Sequence, residues 1–308
     1  MEPDLTIHLG PLKLNNPVMT ASGTFGYGQE YETFVDPGQL GALVVKGISL
    51  QPRQGNPPPR IVETPAGMLN AIGLANIGAE AFIKERLPLL RDLGATVIVN
   101  IYGHRLEDYG DLAALFKGVS GVDALEVNIS CPNVAQGGMA FGVDPKTSEE
   151  VTRRVVESTD KPVIVKLTPN VTDITVIAKA VADGGAHAIS LINTLTGMAI
   201  DIDGRTPKLS HVWGGLSGPA IRPVALYMVY RVVQVVDIPV IGVGGIMDYR
   251  NALEFLIAGA KAFQVGTVNF VKPGVTLEIL EGIRRFCKDK GIESLEDLIG
   301  TLKTGPKS

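Results

Sequence analysis

The sequence predicts an α/β fold, a single (β/α)8 TIM barrel with an eight-stranded parallel core, occupying residues 1–308 as one domain. Three observations lead there. Eight short segments are almost continuously apolar, the pattern of strands buried on both faces of a parallel sheet. Most of them are followed by a stretch with helical periodicity, so the chain reads as a repeated βα unit. Composition does not change along the 308 residues, and nothing marks a second domain. The alternative is an open doubly wound sheet, but no Gly-x-Gly-x-x-Gly follows the first strand.

The first strand is expected over 16–22, ending in the turn-prone Ser22-Gly23, and the second over 42–47, with Lys46 near its end. The connection over 50–77 is rich in Pro and Gly and is expected to be structureless and functional, as loops of that length in compact domains usually are. A helix over 79–93 closes on Gly94, a C-cap. Strands over 96–100, 124–129 and 162–167 then alternate with helices over 106–116, 147–158 and 173–182. The next strand, 188–193, leads into a long loop punctuated by glycines, and Pro219 stands near the start of a helix running to about 236. Strand 239–243, helix 249–258, strand 262–267 and helix 274–288 complete the pattern.

Apolar residues make up 45% and charged residues 19%, with 36 Gly and 20 Pro, which suits a globular protein with a large core and many short turns. A net charge of −4 without any long basic run gives no footing for nucleic acid or a membrane surface as partner. No apolar run approaches the roughly 18 residues of a membrane span, and the first residues lack the basic and apolar regions of a signal peptide. A cytoplasmic location is expected. The two cysteines, Cys131 and Cys287, fit a reducing compartment and are too few to hold an iron–sulfur cluster or a structural zinc. The histidines show no metal-ligand spacing; His187 reads as a packed turn residue and Cys287 as filler in the last helix.

In such barrels the active site lies at the C-terminal face, so the strand ends name the candidates. They are Ser22, Lys46, Asn100, Asn128, Lys166, Asn193, the pair Gly244 and Gly245, and Gly266 with Thr267. Two lysines each follow a run of valine or isoleucine, which points their charges into the barrel mouth; taken singly, either is equally a snorkelling strand-end residue. Amides at Asn70, Asn100, Asn128 and Asn193 suit a ligand rich in carbonyl and N–H groups. The glycines after the last two strands fit the common barrel phosphate site, with further backbone donors expected from Gly214 to Gly218. Together these imply a phosphorylated cofactor. Just past the fourth strand, Cys131 precedes a helix- and ladder-breaking Pro132, and its thiol can exchange a proton.

The motifs Asn128-Ile-Ser-Cys-Pro-Asn133, Leu69-Asn-Ala-Ile-Gly-Leu74, Val165-Lys-Leu-Thr-Pro-Asn170, Ile192-Asn-Thr194 and Gly214-Gly-Leu-Ser-Gly-Pro-Ala-Ile221 resemble the dihydroorotate dehydrogenase family. The resemblance runs from Leu5 to about Ile283, and cysteine at 131, where the membrane-bound class has serine, is similar to the soluble class 1 enzymes. Asn-Ile-Ser-Cys-Pro-Asn-Val and Gly197-Met-Ala-Ile-Asp201 resemble class 1B, the catalytic subunit of the NAD-linked form.

This resemblance implies oxidation of dihydroorotate to orotate in pyrimidine biosynthesis. FMN would be bound by Ser22, Lys46, Gly47, Asn100, Asn128, Lys166, Ile192, Gly218, Gly244, Gly245, Gly266 and Thr267. Dihydroorotate would contact Lys46, the segment Asn70, Ala71, Ile72, Gly73 and Leu74, then Asn128, Asn193 and Thr194. Cys131 would be the base, and no metal is implied. Class 1B further implies an electron-transfer partner carrying FAD and a [2Fe–2S] cluster, in a heterotetramer of two chains of each kind. The segment Leu209-Ser-His-Val-Trp213 has no counterpart among these motifs, and Trp213 is expected to stand apart from the carried-over residues. The alternatives are a fumarate-using class 1A enzyme, a tRNA-dihydrouridine synthase, which would need a basic RNA surface and an extra helical domain, and a non-catalytic barrel that binds a phosphate ligand.

Overall fold

The structure, a computed structural model, describes residues 2–130, 132–133 and 139–305. Eight parallel strands form its centre. They are β1 (Val18–Thr20), β2 (Leu43–Val44), β3 (Val97–Ile101) and β4 (Ala124–Asn128), then β5 (Val163–Leu167), β6 (Ala188–Leu191), β7 (Val240–Val243) and β8 (Ala262–Val265). Their spatial order is β1-β8-β7-β6-β5-β4-β3-β2, so each strand lies beside its neighbours in sequence. The two ends of that order meet through a bridge between Met19 and Ala42. Thr20 reinforces this seam: its buried hydroxyl accepts from the Val44 N–H at 2.9 Å and donates to the Val44 carbonyl at 3.2 Å. The sheet closes into the expected barrel.

The continuous burial of strands such as Val163–Leu167 reflects their position between barrel interior and helices. The helices are α1, built from Ala79–Ala81, Phe82–Arg86 and Leu87–Asp92, followed by α2 (Leu106–Phe116), α3 (Pro145–Ser158) and α4 (Ile174–Asp183). After these come α5 (Arg222–Val233), α6 (Tyr249–Ile257), the short α7 (Val268–Val271) and α8 (Val275–Lys290). The sequence predicts an unbroken first helix, but its middle turn, Phe82–Arg86, is a π-helix. Pro88 lies two residues beyond that turn, and a ring without an N–H cannot continue the ordinary i→i−4 ladder. Between β1 and β2 the chain makes only two 3-10 turns, Gln29–Tyr31 and Pro37–Gln39, and α8 packs against β1.

The connection over 50–77 is not structureless. It contains the hairpin Ile61–Thr64 and Gly67–Asn70, which joins Leu195–Gly197 and Gly214–Ser217 in a four-stranded antiparallel sheet. Beneath that sheet is a small second core of Leu69, Ala71 and Leu209. At the opposite end, the hairpin Ile7–Leu9 and Leu12–Leu14 turns at Gly10, whose backbone approaches His187 so closely that a Cβ would lie 3.1 Å from the histidine Cβ. His187 is the packed turn residue expected: its Nδ1 accepts from the Val163 N–H at 3.1 Å, and burial pushes its pKa down. Cys287 is buried in the core.

Several helices that follow barrel strands begin with an aspartate. The side chains of Asp144, Asp173 and Asp248 accept from the N–H groups of Thr147, Thr175 and Asn251. Hydrogen bonds from the Thr147 hydroxyl and N–H lower the Asp144 pKa below 3.8. A depressed carboxylate contributes stability that is present above its unfolded pKa and lost as pH falls through the folded one. Asp144→Ala is therefore expected to destabilise the chain by about 1 kcal/mol at pH 7, with the difference from wild type shrinking below pH 3.8, the value from which it is depressed. Urea unfolding at neutral and acid pH checks this; a difference independent of pH would contradict the cap.

Candidate active site

The C-terminal strand ends and the four-stranded sheet enclose a cavity of about 570 Å³, within the size range of sites for small ligands and cofactors. Every described residue assigned to cofactor or substrate in the sequence lines it. The strand-end set of Ser22, Lys46, Asn100, Asn128, Lys166 and Asn193 meets there with Gly47, Ile192, Gly218, Gly244, Gly245, Gly266 and Thr267. The segment from Asn70 through Ala71, Ile72 and Gly73 to Leu74 forms another wall, beside Thr194. Cys131 lies outside the described residues.

Beneath the floor is a polar group that the sequence reading did not assign. Glu126 on β4 is fully buried, two residues before Asn128 and so on the same face of its strand. Its Oε1 accepts from Asn100 Nδ2 at 2.7 Å and lies 3.5 Å from Lys166 Nζ. Oε2 accepts from Ser190 Oγ at 2.9 Å and from Gln264 Nε2. Lys166 Nζ also donates to Ser22 Oγ at 3.2 Å and to Gln264 Oε1 at 3.3 Å. Five strands therefore converge on one carboxylate and one ammonium. The signal was available in the sequence, since Glu126, Ser190 and Gln264 each interrupt an apolar strand, and buried polar groups need partners.

Lys46 is the other cation. Burial lowers its pKa, the neighbouring positive charge of Arg60 lowers it further, and Glu30 opposes both. Its ammonium has no ion-pair partner among the described residues. Asn193 Nδ2 reaches Asn128 Oδ1 at 3.2 Å and Ser130 Oγ at 3.0 Å, and Asn70 Nδ2 donates to the Gly215 carbonyl at 3.3 Å. These contacts fix the orientation of the amides around the mouth.

Leu74 has a φ of 60°, in the left-handed region that a side chain disfavours. Its carbonyl accepts from Tyr102 Oη at 2.8 Å and Asn76 Nδ2 at 2.9 Å. Asn76 Oδ1 in turn accepts from the Gly78 N–H at 2.8 Å, and its Nδ2 also approaches Tyr102 Oη at 2.7 Å and Ser49 Oγ at 2.9 Å. Such a conformation persists when its surroundings over-determine it. Asn76 and Tyr102 were not identified from the sequence, because their partners come from different loops.

Gly244 and Gly245 have φ values of 130° and 72°. A Cβ on Gly245 would lie 2.8 Å from the Arg222 backbone nitrogen, so only glycine lets this turn pack against the start of α5. Two expectations are corrected. Gly214–Ser217 is a central strand paired on both sides, so its main chain serves the sheet instead of forming a loop of free donors. Trp213 does not stand apart: with His211, whose ring centroid is 5.0 Å away, it borders the same cavity.

A sequence profile for dihydroorotate dehydrogenase matches residues 4–287. The chain belongs to the dihydroorotate dehydrogenase family. A relative from Geobacter sp. (strain M21) is 56% identical over 301 residues, covering 98% of this chain and 99% of its own. One from Thermoanaerobacter sp. (strain X514) is 56% identical over 300 residues, covering 97% and 99%. Another, from Pelobacter propionicus (strain DSM 2379 / NBRC 103807 / OttBd1), is 55% identical over 303 residues, covering 98% and 100%. Each is named dihydroorotate dehydrogenase B (NAD(+)), catalytic subunit. No helix among the described residues is long and apolar enough to cross a membrane, and no cluster of three metal-ligating side chains occurs among them.

The family implies a flavin, and the chemistry of the donor set fits one. Two lysines and several amides line the cavity, groups that would pair with a flat ring's carbonyl and N–H groups, and the glycine turn at 244–245 adds main chain to the same lining. The wall that faces this space depends on Asn76. Asn76→Ala is expected to destabilise the chain by about 2 kcal/mol in urea unfolding, because several buried hydrogen bonds go at once. Hydrogen exchange over 70–74 should accelerate; an unchanged rate would show that the Leu74 turn holds without it.

Proposed function

We propose that this chain is the FMN-containing catalytic subunit of an NAD-linked dihydroorotate dehydrogenase, oxidising dihydroorotate to orotate for pyrimidine synthesis. The observation that carries the reading is convergence. Residues drawn from motifs spread across the sequence line one cavity, in a chain 56% identical to catalytic subunits of that name. In this reading the whole chain acts as a single barrel domain. The relatives' names specify NAD(+), which favours this assignment over a fumarate-using enzyme.

FMN, when bound, supplies the acceptor for the hydride that leaves C6 of dihydroorotate. The chain's part is to bind, orient and take a proton. Lys46 offers its charge to the anionic substrate, and the Asn70–Leu74 wall with Asn128, Asn193 and Thr194 supplies directional donors and acceptors. We assign Cys131 as the base for the C5 proton: its thiolate forms near pH 8.5 in free cysteine and earlier beside positive charge. In this scheme FMN is held by Ser22, Lys46, Gly47, Asn100, Asn128, Lys166, Ile192, Gly218, Gly244, Gly245, Gly266 and Thr267. A positive charge at the ring stabilises its reduced form. Electrons would then leave through a partner subunit holding FAD and a [2Fe–2S] cluster, in a cytoplasmic heterotetramer with two chains of each kind.

The test is steady-state turnover of the purified chain with and without that partner. NAD+ reduction by dihydroorotate should appear only when the partner is added. Efficient turnover with fumarate and no partner would overturn the NAD link. Cys131→Ala should keep its yellow flavin and lose at least a hundredfold in turnover, the lower range of a general base's contribution, with Cys131→Ser slow at neutral pH. Near-normal flavin reduction in Cys131→Ala would remove the assignment of the base.

A further inference from the structure

We infer that Glu126 is a positioning residue for the redox chemistry: it holds the Lys166 ammonium at the cavity floor and offsets part of its field, so that the bound flavin has a lower potential than Lys166 alone would give it. The inference rests on the flavin reading above and concerns a residue that makes no contact with the cavity. Glu126 does not line the cavity and is fully buried, whereas Lys166 lines it. The carboxylate therefore acts on a ligand only through what it holds.

The geometry shows how it is fixed. Both oxygens are saturated: Asn100 Nδ2 donates to Oε1 at 2.7 Å, Ser190 Oγ donates to Oε2 at 2.9 Å, and Gln264 Nε2 also donates to Oε2. Three neutral donors aimed at one carboxyl group give both of its buried oxygens partners. Lys166 Nζ stands 3.5 Å from Oε1, with both side chains almost wholly out of water. At that depth screening is weak, and removing one member of such a pair leaves the other's charge uncompensated. Gln264 ties the two together, donating to Glu126 while its Oε1 accepts from Lys166 at 3.3 Å. Lys166 is thus held from three sides, by Ser22, Gln264 and Glu126. Its charge is set by the layer beneath it.

The test is the two-electron midpoint potential of the bound flavin at pH 7, by spectroelectrochemical titration of the flavin-loaded chain. Glu126→Gln removes the negative charge and keeps the shape. Ser22 Oγ and Gln264 Oε1 still accept from Lys166 Nζ, so the lysine keeps its place at the cavity floor. The potential should then rise by at least about 30 mV, a tenfold gain in the reduced-to-oxidised ratio. An unchanged or lower potential would overturn the inference. Ser190→Ala deletes a hydrogen bond to the same carboxylate without changing charge and should leave the potential near wild type. A rise as large as that of Glu126→Gln would show packing, not charge, at work. If Glu126→Gln does not fold, Glu126→Asp decides, since it draws the charge back from Lys166 and should raise the potential in the same direction. A wild-type chain that binds no flavin would instead overturn the functional reading.

Discussion

The buried contact between Glu126 and Lys166 is the constraint on which the site depends. Taking a carboxylate and an ammonium out of water costs several kcal/mol each, and the chain offsets this with donors and acceptors from β3, β4, β5, β6 and β8. Glu126, Ser190 and Gln264 come from alternate strands, the pattern by which parallel barrels fill their interior in layers. Here one layer is polar. It joins opposite sides of the barrel and fixes the height at which Lys166 meets the cavity. The Thr20 seam between β1 and β2 completes the closure that makes this convergence possible.

Above that layer the barrel is roofed by segments from two distant connections. The hairpin Ile61–Thr64 and Gly67–Asn70 meets Gly214–Ser217 across the mouth, and Asn70 reaches the Gly215 carbonyl from a position 145 residues away. The Leu74 turn is held by Asn76 and Tyr102. The roof therefore has its own small core and its own hydrogen-bond network, and it gives the cavity a wall of directional groups facing the two lysines.

Much of this was legible in the sequence because the barrel is local. Each strand pairs with its neighbours in the chain, so the continuous burial of Val163–Leu167 and the helical period of Leu106–Phe116 predict their elements almost residue for residue. Strand ends then name the mouth without coordinates, which is why Lys46, Lys166 and Asn128 could be placed together. The roof was less legible. Its strands are short and glycine-rich, with partners far apart in sequence, so Gly214–Ser217 looked like a loop and Trp213 like a residue without a place. Glu126 was in view but unread, because one acidic residue in an apolar strand gives no hint of which groups will surround it. Cys131 rests on the family motif, since it lies outside the described residues.

On the proposed reading, this cavity carries out the first half-reaction by itself. This is tested most directly by rapid anaerobic mixing of the flavin-loaded chain with dihydroorotate, following the oxidised-flavin absorbance with no partner subunit and no NAD+ present. The band should bleach in a single turnover, with one orotate formed per flavin. A chain that carries its full complement of flavin and stays yellow in excess dihydroorotate would contradict it.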